Sequence, residues 1–242
     1  IQLKNALQNS PDDAEIRYRL GVAYNRTGDG VSAEKELKKA LELKSDHPKA
    51  AMELGGSLLR QGAFDRVLAE MSPPPAGAAN LADVLVLRAQ AHAGLRQFKE
   101  AEADFGAALA ARPGFADALV GQARLKASTQ DIDGALAILE QALAKDPKNL
   151  DALTAKGDFT RFQGHVDRAV AAYSAAIEAH PQSLQPRLSR AASYLASAKN
   201  TEAQADIDAA YDRNSGKSMR DALRDAGLAG RSRSRCERTR HL

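Results

Sequence analysis

A chain of 242 residues with 44% hydrophobic side chains can bury a core, which excludes wholesale disorder. Aromatics make up only 5% and Trp is absent, so helices packed through small side chains are favoured over an aromatic-rich β-sandwich. The net charge of +3 is uneven: residues 216–242 carry eight Lys or Arg against three acids, and the remainder, slightly acidic, has no bias towards nucleic acid or anionic membranes.

The first segment, "IQLKNALQNSP", has the pattern of the second half of a repeat whose first half is missing. It predicts a lone helix within 1–13 and a natural chain that began further upstream. Full copies of 34 residues follow, starting at Ala14, Pro48, Ala82, Ala116, Leu150 and Leu184. Counting from each start, position 8 is Gly21, Gly55, Ala89, Ala123, Gly157 and Ala191. Position 20 is Ala33, Val67, Ala101, Ala135, Ala169 and Ala203. Position 24 is always large and apolar: Leu37, Met71, Phe105, Leu139, Tyr173 and Ile207. Ala recurs at position 27, and Pro113, Pro147 and Pro181 stand at position 32. Small residues let two antiparallel helices cross closely, the large residue fills the space between repeats, and Pro stops the second helix.

In the second copy the stretch "SPPPAGAAN" (72–80) keeps the register of 34, so nothing is inserted there. Pro73, Pro74 and Pro75 fall where the second helix should finish. That helix is expected to end near Met71, and Asn80 with Asp83 to cap the next one. The stretch reads as a degenerate helix end inside one array that runs over residues 1–215. After the last copy, 216–230 has a cap at Ser218, an apolar seam and a terminating Gly227, the signature of a capping helix. Residues 231–242 lack periodicity and are expected to be a basic disordered tail.

This pattern resembles the tetratricopeptide repeat, which implies an all-α, right-handed superhelical solenoid of helix-turn-helix units. Position 4 lacks the usual aromatic, and position 7 is Leu only in the first two copies before Arg88, Gln122, Lys156 and Arg190, so packing there departs from the pattern.

Catalytic spacing is absent: there is no glycine-rich phosphate loop, no G-x-S-x-G and no H-E-x-x-H, so an enzyme is not expected. His47, His92, His165 and His180 occupy unrelated positions without ligand spacing, and neither a metal nor a cofactor is implied. The lone Cys236 can form no intrachain disulfide, and no run approaches the ~18 apolar residues of a membrane-spanning helix.

In the resembled architecture the concave surface is lined by first helices at positions 2, 5, 9, 12 and 13. Position 5 supplies an apolar stripe of Tyr18, Met52, Val86, Val120, Thr154 and Leu188. Around it lie Asn25, Arg26, Lys49, Arg60, Gln90, Arg124, Asp158 and Arg161, a mixture suited to an extended or helical peptide. The paired Lys and Asn that clamp a C-terminal carboxylate in chaperone-binding members are not at the matching positions, so chaperone-tail binding is disfavoured.

The segments "IQLKNALQNSPDDAEIRYRLGVAYNRTGDGVSAEKELKKALEL", "FDRVLAEMSPPP" and "LADVLVLRAQAHAGL" are similar to the tetratricopeptide lipoproteins of bacterial exopolysaccharide and PEP-CTERM/exosortase loci. That resemblance implies a periplasmic scaffold in polysaccharide export or surface-protein sorting. Anchoring would be to the outer membrane, through a lipid on an N-terminal Cys missing here. The partner would be a protein or peptide segment. Direct polysaccharide binding is the alternative, against which the groove's lack of aromatic platforms counts.

Overall fold

The computed structural model describes residues 2–71 and 81–213, which form thirteen helices and no strand. The fold is therefore all-α. Helix α1 (Gln2–Asn9) precedes the hairpins α2 (Ala14–Arg26)–α3 (Gly30–Leu43) and α4 (Pro48–Arg60)–α5 (Phe64–Glu70). Next come α6 (Leu81–Gly94)–α7 (Phe98–Ala111), then α8 (Ala116–Ser128) and α9 (Ile132–Lys145). The last hairpins are α10 (Leu150–Phe162)–α11 (Val166–Ala179) and α12 (Gln185–Ala196)–α13 (Asn200–Arg213). Two compact units, Ile1–Leu125 and Lys126–Leu242, divide the chain. The expected capping helix (216–230), the tail (231–242), the three prolines and Asn80 lie outside the described residues.

Each first helix of a copy is stopped by one device. Position 15 takes a positive φ in all six copies: Gly28 (79°), Gly62 (69°), Arg96 (61°), Gln130 (69°), Gly164 (82°) and Ala198 (57°). The next residue's N–H then turns back to the carbonyl five positions earlier, as from Asp29 to Tyr24 (3.0 Å), Gln97 to His92 (2.9 Å) and Lys199 to Tyr194 (2.9 Å). This closure satisfies carbonyls that the ended helix would leave unpaired. Where the residue is not Gly, the left-handed conformation costs ~1–2 kcal/mol. Helix starts are capped by side chains: Asp13 accepts from the N–H groups of Glu15 and Ile16, Asp131 from Gly134, and Asn149 from Ala152. His47 does the same for α4, its Nδ1 accepting from Ala50 N at 3.1 Å.

Within the first unit, the position-24 side chains Leu37, Met71 and Phe105 are buried, and small residues make room for them. A Cβ added at Gly21 would lie 2.6 Å from Leu37 Cγ, and one at Gly55 would lie 2.9 Å from Met71 Cε. In the second unit Tyr173 is fully buried against Gly157, where a Cβ would come within 2.6 Å of its ring at Cδ1. Ala142 and Ala176, at position 27, are likewise completely covered. Helix α5 has 7 residues whereas α3, α7, α9 and α11 have 14 each, and it stops at Glu70 with Met71 as its C-cap. The end near Met71 expected from the prolines is where the helix finishes.

At positions 4 and 7 several departures from the apolar pattern are filled by charge. Arg17 (position 4) donates from Nε and Nη2 to the Pro11 carbonyl (3.1 and 2.9 Å) and from Nη1 to Glu36 (2.7 Å), tying the turn before α2 to α3. Arg190 (position 7) forks onto Asp206 (position 23), Nε to Oδ2 at 2.8 Å and Nη2 to Oδ1 at 2.6 Å, and its Nη1 donates to Ser174 Oγ at 2.8 Å. Arg88 faces Asp104 at the same two positions, Nε to Oδ2 at 3.3 Å, yet neither atom reaches hydrogen-bond geometry.

Candidate functional site

The exposed face of the first helices was expected to carry an apolar stripe at position 5. In the first unit Val86 and Val120 are buried, and Tyr18 and Met52 are half-buried against the core of Leu37, Leu54 and Met71. In the second unit Thr154 and Leu188 are buried as well, and the Thr154 hydroxyl donates to its own helix at Leu150 O (2.7 Å). These side chains contribute to packing, and the polar neighbours supply the surface.

In the first unit α2 and α4 bring several of those neighbours together. Asn25 is half-buried; its Nδ2 donates to Glu53 Oε1 (2.8 Å), and its Oδ1 accepts from the Ser57 hydroxyl (2.8 Å). Arg60 Nη2 stands 3.8 Å from the same Glu53 oxygen. Arg26, Lys49 and Arg60 are exposed, Arg124 is exposed further along, and Gln90 is half-buried on α6. Beside them the Tyr18 ring lies 4.9 Å from that of His47. The His47 Nδ1 serves as the α4 cap acceptor, and its Nε2 faces Glu15 at 3.4 Å. The face thus combines three exposed cations with a fixed amide–carboxylate pair.

In the second unit Asp158 on α10 accepts from the buried Tyr173 hydroxyl at 2.7 Å, with the exposed Arg161 one turn on. Burial, reinforced by the Asp158 carboxylate, pushes the Tyr173 hydroxyl well above its ordinary range, so it stays a donor. Asp158 is therefore held in place from below, and Arg161 also reaches the Tyr173 hydroxyl. Sequence reasoning missed Glu53, Ser57 and Tyr173 as supports because each lies outside the groove positions. It also passed over Phe162 at position 13, which is 78% exposed. Its type alone, an aromatic at a listed groove position, was the available signal. Among the described residues no three His, Cys, Asp or Glu side chains cluster as metal ligands, and no helix is long and apolar enough to cross a membrane.

Successive antiparallel hairpins with small residues at their crossings define a class: a helical-repeat protein. The fold is a solenoid of the tetratricopeptide-repeat type. Tetratricopeptide repeat family models match residues 2–48 and 92–158. A thermophilic TPR protein of Thermus thermophilus matches with a TM-score of 0.68 and 23% identity, over 76% of this chain and 100% of that one. A chain of the APC/C hetero-tetramer matches at 0.66 and 14% identity, over 93% of this chain and 45% of that one. A tetratricopeptide repeat protein of Parabacteroides merdae matches at 0.57 and 23% identity, over 89% and 86%. No curated protein sequence matches the chain. Tetratricopeptide proteins generally act as protein-interaction scaffolds, binding protein or peptide partners on a typically non-enzymatic fold.

Proposed function

We propose that this protein is a non-enzymatic scaffold of the bacterial cell envelope that holds a partner segment on the first-helix face, in exopolysaccharide export or PEP-CTERM surface-protein sorting. The envelope assignment rests on the resemblance of residues 1–212 to the lipoproteins of those loci; a periplasmic location and a lipid anchor belong to that proposal. The observation that carries partner binding is the cation set Arg26, Lys49 and Arg60 around the Asn25–Glu53 pair. Exposed guanidinium and ammonium groups take carboxylates and backbone carbonyls of a peptide, and the fixed Glu53 and Asn25 give it a register. Tyr18 on α2 and Met52 on α4 belong to the same proposed site, and Asp158 and Arg161 are the candidate residues on α10 of the second unit.

The test is affinity capture from cells that carry the gene, with the wild-type chain and an Arg26→Ala/Lys49→Ala/Arg60→Ala variant as parallel baits. Envelope polysaccharide-export or sorting proteins retained by the wild type and lost by the variant are the expected result. Purified glycan retained equally by both, with no protein difference, would overturn the reading.

A further inference from the structure

The turn edge of the second unit carries a surface separate from the Arg26–Lys49–Arg60 face. An open cleft of about 530 Å³ lies between two inter-helix turns, with Gly164–Arg168 on one wall and Ser197 and Lys199 on the other. That volume suits one or two side chains of an extended segment, and its openness to solvent leaves room for the chain to run through.

The charges around it are lopsided. Among the lining side chains Arg168 and Lys199 stand against a single acid, Asp167. Lys199 Nζ is 3.4 Å from Asp167 Oδ1, but the Asp167 side chain is 93% exposed. A pair so hydrated is weak and readily exchanged for another carboxylate. Two residues before Gly164, Phe162 leaves an almost bare ring in water. Covering that ring releases apolar surface from solvent, so the same partner gains by placing an apolar side chain there.

We propose that this edge docks an acidic segment of a partner protein, with carboxylates against Arg168 and Lys199 and an apolar side chain against Phe162. Charge complementarity sets the sign of the segment. A single aromatic gives no stacking track for successive bases, which directs the site to a peptide rather than a nucleic-acid strand. The groove reading of Arg26, Lys49 and Arg60 is not needed for this inference.

The experiment uses the full chain as bait for a phage-displayed library of random dodecapeptides. Selected peptides are remade with a fluorescent label, and their binding is followed by anisotropy. Enriched sequences should combine Asp or Glu with an apolar residue. Their affinity should fall about tenfold with Arg168→Glu/Lys199→Glu and severalfold with Phe162→Ser, and stay unchanged with Arg26→Ala/Lys49→Ala. Raising NaCl from about 50 to about 500 mM should weaken wild-type binding, a readout that needs no variant. Circular dichroism checks that the variants keep their helices. Peptides that bind the turn-edge variants as tightly as wild type but lose the groove variant would overturn the inference and leave the groove reading standing. Enrichment without acidic residues, salt-insensitive binding, or no enrichment would overturn it outright.

Discussion

At a helical glycine a single added methyl group produces opposite effects depending on what lies across from it. Replacing an exposed helical Gly with Ala is worth ~1 kcal/mol through helix propensity and the unfolded chain's entropy. Gly106 on α7 has nothing within 4 Å of a built Cβ, so Gly106→Ala should stabilise by about that amount. At Gly157 the same Cβ would push into the Tyr173 ring, which is fully buried and fixed at its far end by Asp158. Overpacking of this kind costs ~1–3 kcal/mol and outweighs the propensity gain. Urea denaturation of the two variants should therefore move in opposite directions. A Gly157→Ala protein as stabilised as Gly106→Ala would mean that Tyr173 does not fill that crossing.

Between helices of one hairpin, the pairing of positions 7 and 23 replaces an apolar contact by an ionic one. Arg190 and Asp206 make a fork backed by Ser174, whereas Arg88 and Asp104 sit close without hydrogen bonds. Burial holds the Asp104 carboxyl above its usual range, against the opposing pull of Arg88 and His92 (Nε2 3.7 Å away). The sign follows: the folded hairpin binds that proton more tightly than the unfolded chain. The stabilising contribution is complete below the unfolded value of about 3.9 and is lost as pH rises through the higher folded value. At pH 7 the charged pair is thus a poor substitute for packing. Arg88→Leu/Asp104→Leu should be at least as stable as wild type, within the ~1–4 kcal/mol gains that apolar replacement can bring, while Asp104→Leu alone strands Arg88 and costs ~1–3 kcal/mol. Denaturation midpoints at pH 7, and the disappearance of the double variant's share of the pH slope, check both. A double variant less stable than Asp104→Leu would show that the pair is a net contributor. The pairing was legible in part: Arg appears at position 7 only where Asp stands at position 23. How well each fork closes was not, since Ser174 lies on a different hairpin from Arg190 and no spacing within a repeat announces it.

For the whole chain, the helical class and the repeat unit were readable because one spacing of 34 residues carries small, large and terminating residues at fixed places. The position-5 side chains were less readable. Periodicity says which helix face a residue shares but not how much of it neighbouring helices cover, and in Val86, Thr154 and Leu188 the covering is nearly complete. The same repetition makes a claim about energetics. In the first unit the helices pack on those adjoining them in the chain: α2 on α3, α3 on α4, α5 on α6 and α6 on α7, with α2 also meeting α4 and α4 meeting α6. Stability in such an array is close to a sum of repeat and nearest-neighbour interface energies, and an injury spreads only as far as those interfaces couple. Gly21→Val tests this, because its side chain would collide with Leu37, which is completely buried, and with the Ala33 backbone oxygen 3.3 Å from its Cβ. The cost should be ~1–3 kcal/mol or more, since the branch adds bulk beyond a methyl. Hydrogen exchange followed peptide by peptide should show faster exchange in α2 and α3 and a smaller rise in α4, with α6 and α7 protected as in the wild type. Equal loss of protection from α2 through α7 would mean that the unit unfolds as one cooperative block, and that its repeats do not hold their stability locally.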